Sequence, residues 1–209
     1  QCFAHYQAAT TNVAGYSAQI LADSPTGYWG LDEPAYVMPT PSPVADIANS
    51  GTALADADAT NTFGVLNGQA GPAYLGFGAP NKALQLDGEN GFVALPLPSA
   101  PAALSNLTGT VTMMAWVKPT QRNFFRYIIA HGWEGPNTGD DYQETFLRIS
   151  RGSGNNFYGT TNYFFFSSRR RHTIYAARSV IPEGDLGNWV FLAGTFDGSA
   201  WHLYRNGVD

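Results

Sequence analysis

The sequence predicts an all-β fold of sandwich type, on three observations. Apolar runs of strand length alternate with turn residues along much of the chain, and 23 Gly and 13 Pro supply those turns. A content of 44% hydrophobic and 14% aromatic residues is enough to fill a large core, while only 13% of residues are charged. That balance favours sheet over helix. A length of 209 residues suits one sandwich domain.

Residues 1–15 are rich in Ala, Thr and Gln and short of periodic hydrophobics, which predicts a tail or a linker from a preceding module. Residues 17–23 suit one or two helical turns, stopped by Pro25. A first strand is expected at 27–31. From 34 to 80 the chain reads as loop, either a decorated surface loop or the site of short strands without a legible pattern. From Ala83 alternation is clear, with Leu84 and Leu86 on one face and Gln85 and Asp87 on the other. Val111, Met113, Ala115 and Val117 alternate with Thr112, Met114, Trp116 and Lys118, and both faces are largely apolar, which places this strand centrally in its sheet. Further strands are expected at 126–131, 143–150, 156–166 and 173–179, then a loop at 181–187.

The last twenty-two residues, 188–209, form the clearest local signal. Two apolar-rich runs, 189–196 and 200–204, flank Asp197-Gly198-Ser199, and Asn206-Gly207 follows. Asp-Gly and Asn-Gly suit tight turns because Gly adopts positive φ freely and Asp or Asn tolerates it. This is a β-hairpin followed by a second turn.

These residues also carry a resemblance. W-x-L-Y-x-N-G-V after a D-G-x turn, Y-S-A-Q-I-L-A-D-S-P-T-G-Y-W-G-L-D-E at 16–33, K-A-L-Q-L-D-G-E-N-G-F-V-A-L at 82–95 and L-T-G-T-V-T-M-M-A-W-V-K-P at 107–119 occur in one order. Together they resemble the laminin G-like, concanavalin A-like lectin/glucanase superfamily in its bacterial extracellular type. The resemblance covers 16–209 and implies a jelly-roll β-sandwich of two antiparallel sheets. It also implies further strands beyond Asp209, so the domain is expected to lack its C-terminal strands and to expose a sheet edge open to self-association.

The family often binds calcium at one edge of the sandwich, and calcium needs several oxygen ligands. On that basis Asp87 and Asn90 in the D-G-E-N turn, with Asp140, Asp141 and Glu144 in the loop 139–144, are candidate ligands. Asp87-Gly88 also reads simply as turn chemistry. Flat aromatic rings complement the apolar face of a pyranose. Trp133, Tyr142, Tyr158 and Tyr163, with Phe157, lie in or beside loops and are the candidate sugar platforms. Trp29, Trp116, Trp189 and Trp201 lie within strands and read as core.

The only basic cluster, Arg169-Arg170-Arg171, follows the run Phe164-Phe165-Phe166 and fits the rest poorly. It resembles translated read-through of sequencing adapters; as folded chain it is a solvated hairpin tip or a grip on a sulfated or carboxylated glycan.

A net charge of −5 gives no reason to expect nucleic acid or an anionic membrane as partner, and no run reaches the ~18 apolar residues of a membrane span. The single cysteine, Cys2, cannot form an internal disulfide; it reads as a surface thiol, or as a site of pairing or lipid attachment. Paired carboxylates in the E-x-D-x-x-E arrangement of the glucanase branch are absent from the sequence. His5, His131, His172 and His202 lack metal-ligand spacing. The expectation is therefore a secreted, non-catalytic binding or adhesion module for a glycan or a cell-surface protein. The rival is a structural subunit of a filament or surface layer that assembles by strand pairing. A glycoside hydrolase ranks third.

Overall fold

The computed structural model describes residues 1–12, 15–33, 46–61, 64–95, 101–105, 107, 109–122, 124–133, 143–151, 161–170 and 173–209. The chain divides into two compact units, Ala4–Asn106 and the combination of Gln1–Phe3 with Leu107–Asp209. No described helix is long and apolar enough to cross a membrane.

Where a tail or linker is expected, the chain forms helix α1 (Cys2–Thr11). Alanine is the strongest helix former, and the Thr10 and Thr11 hydroxyls bond back to the carbonyls of Tyr6 and Gln7 at 3.0 and 2.8 Å. Ala8 and Ala9 are buried, and Gly76 lies so close to the Ala8 carbonyl and Ala9 Cα that no β-carbon would fit there. Packing through small side chains leaves no hydrophobic period to read. Helix α2 (Tyr16–Ala22) agrees with expectation; it buries Tyr16 and Ile20, and the Tyr16 ring stands 4.7 Å from Phe77. His5 is buried with Nε2 2.7 Å from the Asp23 carboxylate, and its burial pushes the imidazole pKa below the usual value.

The first strand expected at 27–31 is reduced to one bridge, Trp29 with Asn49. A side-chain amide replaces the ladder: Asn49 Oδ1 accepts the N–H of Tyr28 at 2.7 Å and of Gly51 at 3.0 Å, while Nδ2 donates to the Leu54 carbonyl. The long loop does contain short strands. β1 (Asp46–Ile47), β2 (Ala59–Asn61), β3 (Val65–Ala70), β4 (Lys82–Leu86) and β5 (Val93–Ala94) form a sheet in the order β1-β2-β5 and a separate pair β3-β4, before helix α3 (Ala102–Ser105). Residues 34–45 lie outside the described part. On β4 the buried residue is Ala83, whereas Leu86 is exposed, so the alternation at 84 and 86 marks a strand without marking its buried face.

The second unit is the β-sandwich. Its strands are β6 (Val111–Val117), β7 (Arg126–Trp133), β8 (Gln143–Ser150), β9 (Tyr163–Arg170), β10 (Thr173–Val180), β11 (Val190–Phe196) and β12 (Trp201–Arg205). They form two antiparallel sheets, ordered β10-β9-β8-β7 and β12-β11-β6. Met113, Leu147, Ile149, Phe164, Phe166, Val190, Leu192 and Leu203 fill the core between them. Among the described residues β6 pairs only with β11 and so ends its sheet there, where a central position was expected. Its two-sided apolar pattern reports packing on both faces, which does not fix pairing on both edges. The central strand is β11, buried from Val190 to Gly194.

Phe164, Phe165 and Phe166 are all buried. Strand alternation sends Phe164 and Phe166 into the core and Phe165 to the opposite face. The Phe166 ring lies on Gly194, where any β-carbon would collide with it, which accounts for a glycine inside a core strand. At the end of β12, Arg205 Nε donates to Asp185 at 2.7 Å and Nη2 to the other carboxylate oxygen; this bond holds the guanidinium pKa above its usual value.

Gly194→Ala is expected to destabilise the sandwich by about 1–3 kcal/mol through overpacking against Phe166, read as a lower urea midpoint at unchanged slope. In the β11–β12 turn, Asp197 accepts the N–H groups of Ala200 and Ser199 and the Ser199 hydroxyl, which lowers its pKa to about 2. A depressed carboxylate pKa stabilises the fold above its unfolded value near 4 and loses that effect as pH falls through about 2. Thermal melts over that window should show a flatter acid limb for Asp197→Asn, whose amide oxygen can keep the turn but does not titrate.

Candidate functional site

Residues opposite one another in a ladder share a face, so the pairing of the four-stranded sheet defines what lies on the side away from the core, where Phe146, Ser150, Phe165 and Ser167 are themselves buried and Tyr127 and Arg178 are exposed. Tyr127 on β7 stands opposite Arg148 on β8, Arg148 opposite Phe165 on β9, and Phe165 opposite Arg178 on β10. One row across four strands thus alternates ring, guanidinium, ring, guanidinium. Phe146 and Ser167 precede it on the same face, and Ser150 and Tyr163 follow. The register of β7 shifts between Tyr127 and Ile129, which packs Ile128 and Ile129 against the core while Tyr127 stays on the outer face.

Arg148 is the centre of this row. Its guanidinium carbon is 4.2 Å from the ring centre of Phe146, 5.1 Å from Phe125, 5.4 Å from Tyr127 and 5.7 Å from Phe165. Nε donates to Ser150 Oγ at 2.9 Å and Nη1 to the Tyr127 hydroxyl at 3.1 Å. Three further arginines lie over rings in or beside this sheet, Arg151 over a ring that Arg148 also touches. Arg126 lies over Phe124 at 4.8 Å, Arg151 over Phe125 at 5.7 Å and Arg178 over Tyr163 at 4.8 Å. Among the described residues none of these four arginines has a carboxylate within ion-pair distance, whereas Arg122 and Arg205 pair with Glu183 and Asp185. Phe124 also lines an open cleft of about 420 Å³, whose rim carries the Arg122–Glu183 pair.

The residues expected from the sequence are placed unevenly. Tyr163 opens β9, half-buried under Arg178, and belongs to the aromatic face. The backbone of Trp133 ends β7, beside residues outside the described part, and that of Glu144 lies in β8 opposite Gly132, a strand position where a loop was expected. Tyr142, Phe157, Tyr158, Asp140 and Asp141 lie outside the described residues. Asp87 Oδ1 accepts the backbone N–H groups of Glu89, Asn90 and Gly91 at 2.9, 3.0 and 2.8 Å, and these bonds depress its pKa. Asp87 thus organises its turn, to which Asn90 donates its backbone N–H. Among the described residues no group of three or more His, Cys, Asp or Glu side chains could hold a metal ion.

The residues not anticipated are Arg148, Arg178, Arg126, Phe125 and Tyr127. Alternation along β8 does separate Phe146, Arg148 and Ser150 from Leu147 and Ile149, but the row emerges only from pairing across strands, which a single sequence does not state.

The geometry defines an antiparallel β-sandwich domain with an aromatic and cationic outer face. Residues 87–209, more than half the chain, match the family model described as the concanavalin A-like lectin/glucanases superfamily, and the chain belongs to that superfamily, as a laminin G-like domain. No curated protein and no solved structure matches the chain.

Proposed function

We propose that the chain is a non-catalytic binding or adhesion module of an extracellular or cell-surface protein, with a glycan or a surface protein as its ligand and calcium bracing its loops. The observation that carries this reading is the exposed rings of Phe124, Phe125 and Tyr127 beside Arg148, whose other ring neighbours Phe146 and Phe165 are buried and hold it in place. Exposed aromatic faces with convergent polar donors are the chemistry by which proteins hold sugars and peptide side chains. The lectin/glucanase superfamily contains enzymes and binders alike, and the sequence carries no E-x-D-x-x-E carboxylate arrangement, which favours the binder.

A second reading is assembly by strand pairing. It is favoured by β10, which ends the four-stranded sheet among the described residues and exposes Tyr175 and Val180. Size-exclusion chromatography with light scattering, in calcium and in chelator, separates the two. The binding module is expected to run as a monomer, to melt at higher temperature in calcium and to be retained on immobilised glycans. Ordered oligomers indifferent to chelator would overturn it in favour of the assembling subunit. In the same melts Asp87→Asn, which keeps an acceptor for the turn but removes the charge, is expected to lose the calcium-dependent gain if Asp87 is a ligand.

A further inference from the structure

We propose that Arg148 seats an anionic group of the ligand, and that the ligand is an acidic saccharide carrying carboxylates of the uronate type. This inference rests on the glycan-binding reading of the same face and specifies its substrate class.

Donor accounting comes first. A guanidinium offers five N–H donors; Arg148 uses Nε–H on Ser150 and one Nη1–H on Tyr127, which leaves the second Nη1–H and both Nη2–H without a partner among the described residues. Of those three, one Nη2–H lies beside Nε and the other lies on the Nη1–Nη2 edge, an edge that can present two parallel N–H groups to one carboxylate. The side chain is half-buried among four rings, so the donors are held in place and partly shielded from water, and an anion there is attracted more strongly than at an open surface.

Charge points the same way. Arg148 and Arg151 both approach the Phe125 ring, and Arg178, opposite Phe165 in the ladder, lies on the same sheet face. Arg148 and Arg151, which share one ring, repel each other, and no described acid pairs with either, although the sandwich pairs Arg122 and Arg205 with acids. The chain as a whole carries −5, so the face is a local exception and not part of a generally basic surface. An incoming anion relieves that repulsion.

The rings select among anions. Phe124, Phe125 and Tyr127 are each at least 40% exposed beside the guanidinium groups. Exposed flat rings beside a carboxylate-binding fork fit a polymer in which every unit has both a pyranose face and a carboxylate. An acidic peptide offers the charge without the repeating apolar face.

The test is binding of the full chain to polygalacturonate, alginate and hyaluronate, with fully methyl-esterified pectin as the same sugar without the charge, and with neutral glucans, dextran sulfate and poly-glutamate as controls. Wild type is expected to bind at least one uronate polymer, at least tenfold more weakly its uncharged counterpart, and progressively less as salt rises. Arg148→Gln should lose on the order of tenfold on the acid form and nothing on the ester, the size expected for a charge-assisted bidentate contact. Arg178→Ala changes an exposed side chain and should lose about threefold with an unaltered melting temperature, which keeps the test valid if Arg148→Gln unfolds. Arg148→Lys, with the charge but no fork, should fall between. Equal binding of acid and ester overturns this inference and leaves the glycan-binding reading standing. Retention on no saccharide, acidic or neutral, overturns both. Preference for dextran sulfate over every uronate overturns the carboxylate assignment, and preference for poly-glutamate replaces the saccharide with an acidic protein partner.

Discussion

The close approach of Phe166 to Gly194 is the contact on which the sandwich depends. A ring laid on a backbone without a β-carbon brings the centre of β9 against the centre of β11, and Leu192, Leu203 and Phe164 close around it. Trp201 packs on the same ring at 5.0 Å and stacks on Phe196 at 4.6 Å, so the hairpin of β11 and β12 is joined to the other sheet through one aromatic chain. Interiors are dense enough that such a contact admits little adjustment.

The outer face follows from the inner one. Because side chains alternate along a strand, placing Phe164 and Phe166 in the core obliges Phe165 to face away, and the ladder then sets Arg148 and Arg178 on either side of it. A one-residue slip would put Arg148 in the core and Leu147 outside, at the cost of burying an unpaired charge. Core packing therefore fixes the register, and the register assembles the row of rings and guanidinium groups.

Most of the sandwich was legible because its strands announce themselves locally. The alternation at 111–118, the Asp197-Gly198 turn and the run 143–150 each encode a strand or a turn within a few residues, and each stands where the sequence puts it. What failed was encoded elsewhere. Helix α1 packs by Ala8 and Ala9 against Gly76, sixty-odd residues away, and gives no periodic signal. The strand expected at 27–31 gave way because Asn49 supplies bonds that a ladder would have made. Strand β6 was assigned to the sheet centre because apolar faces were read as paired edges. Of the candidate site, Tyr163 was visible as an aromatic near a turn, while Arg148 looked like an ordinary outward residue until pairing placed Tyr127 and Phe165 beside it.

Membership of a superfamily that holds both enzymes and binders leaves the ligand to be decided by side chains. The balance at Arg148 is informative in that respect. Cation–π contacts contribute about 0.5–1 kcal/mol each at exposed sites and more when desolvated, and the bonds to Ser150 and Tyr127 orient the group. These interactions act on the faces of the guanidinium and on two of its five N–H donors. They do not satisfy the remaining N–H donors, which are strongly hydrated in an unfolded chain and only partly so among four rings. A purely structural arginine in this sandwich is paired with an acid, as Arg205 is with Asp185. Among the described residues Arg148 is instead held by neutral groups with three N–H donors left over, an arrangement that pre-organises charge for something that arrives from outside.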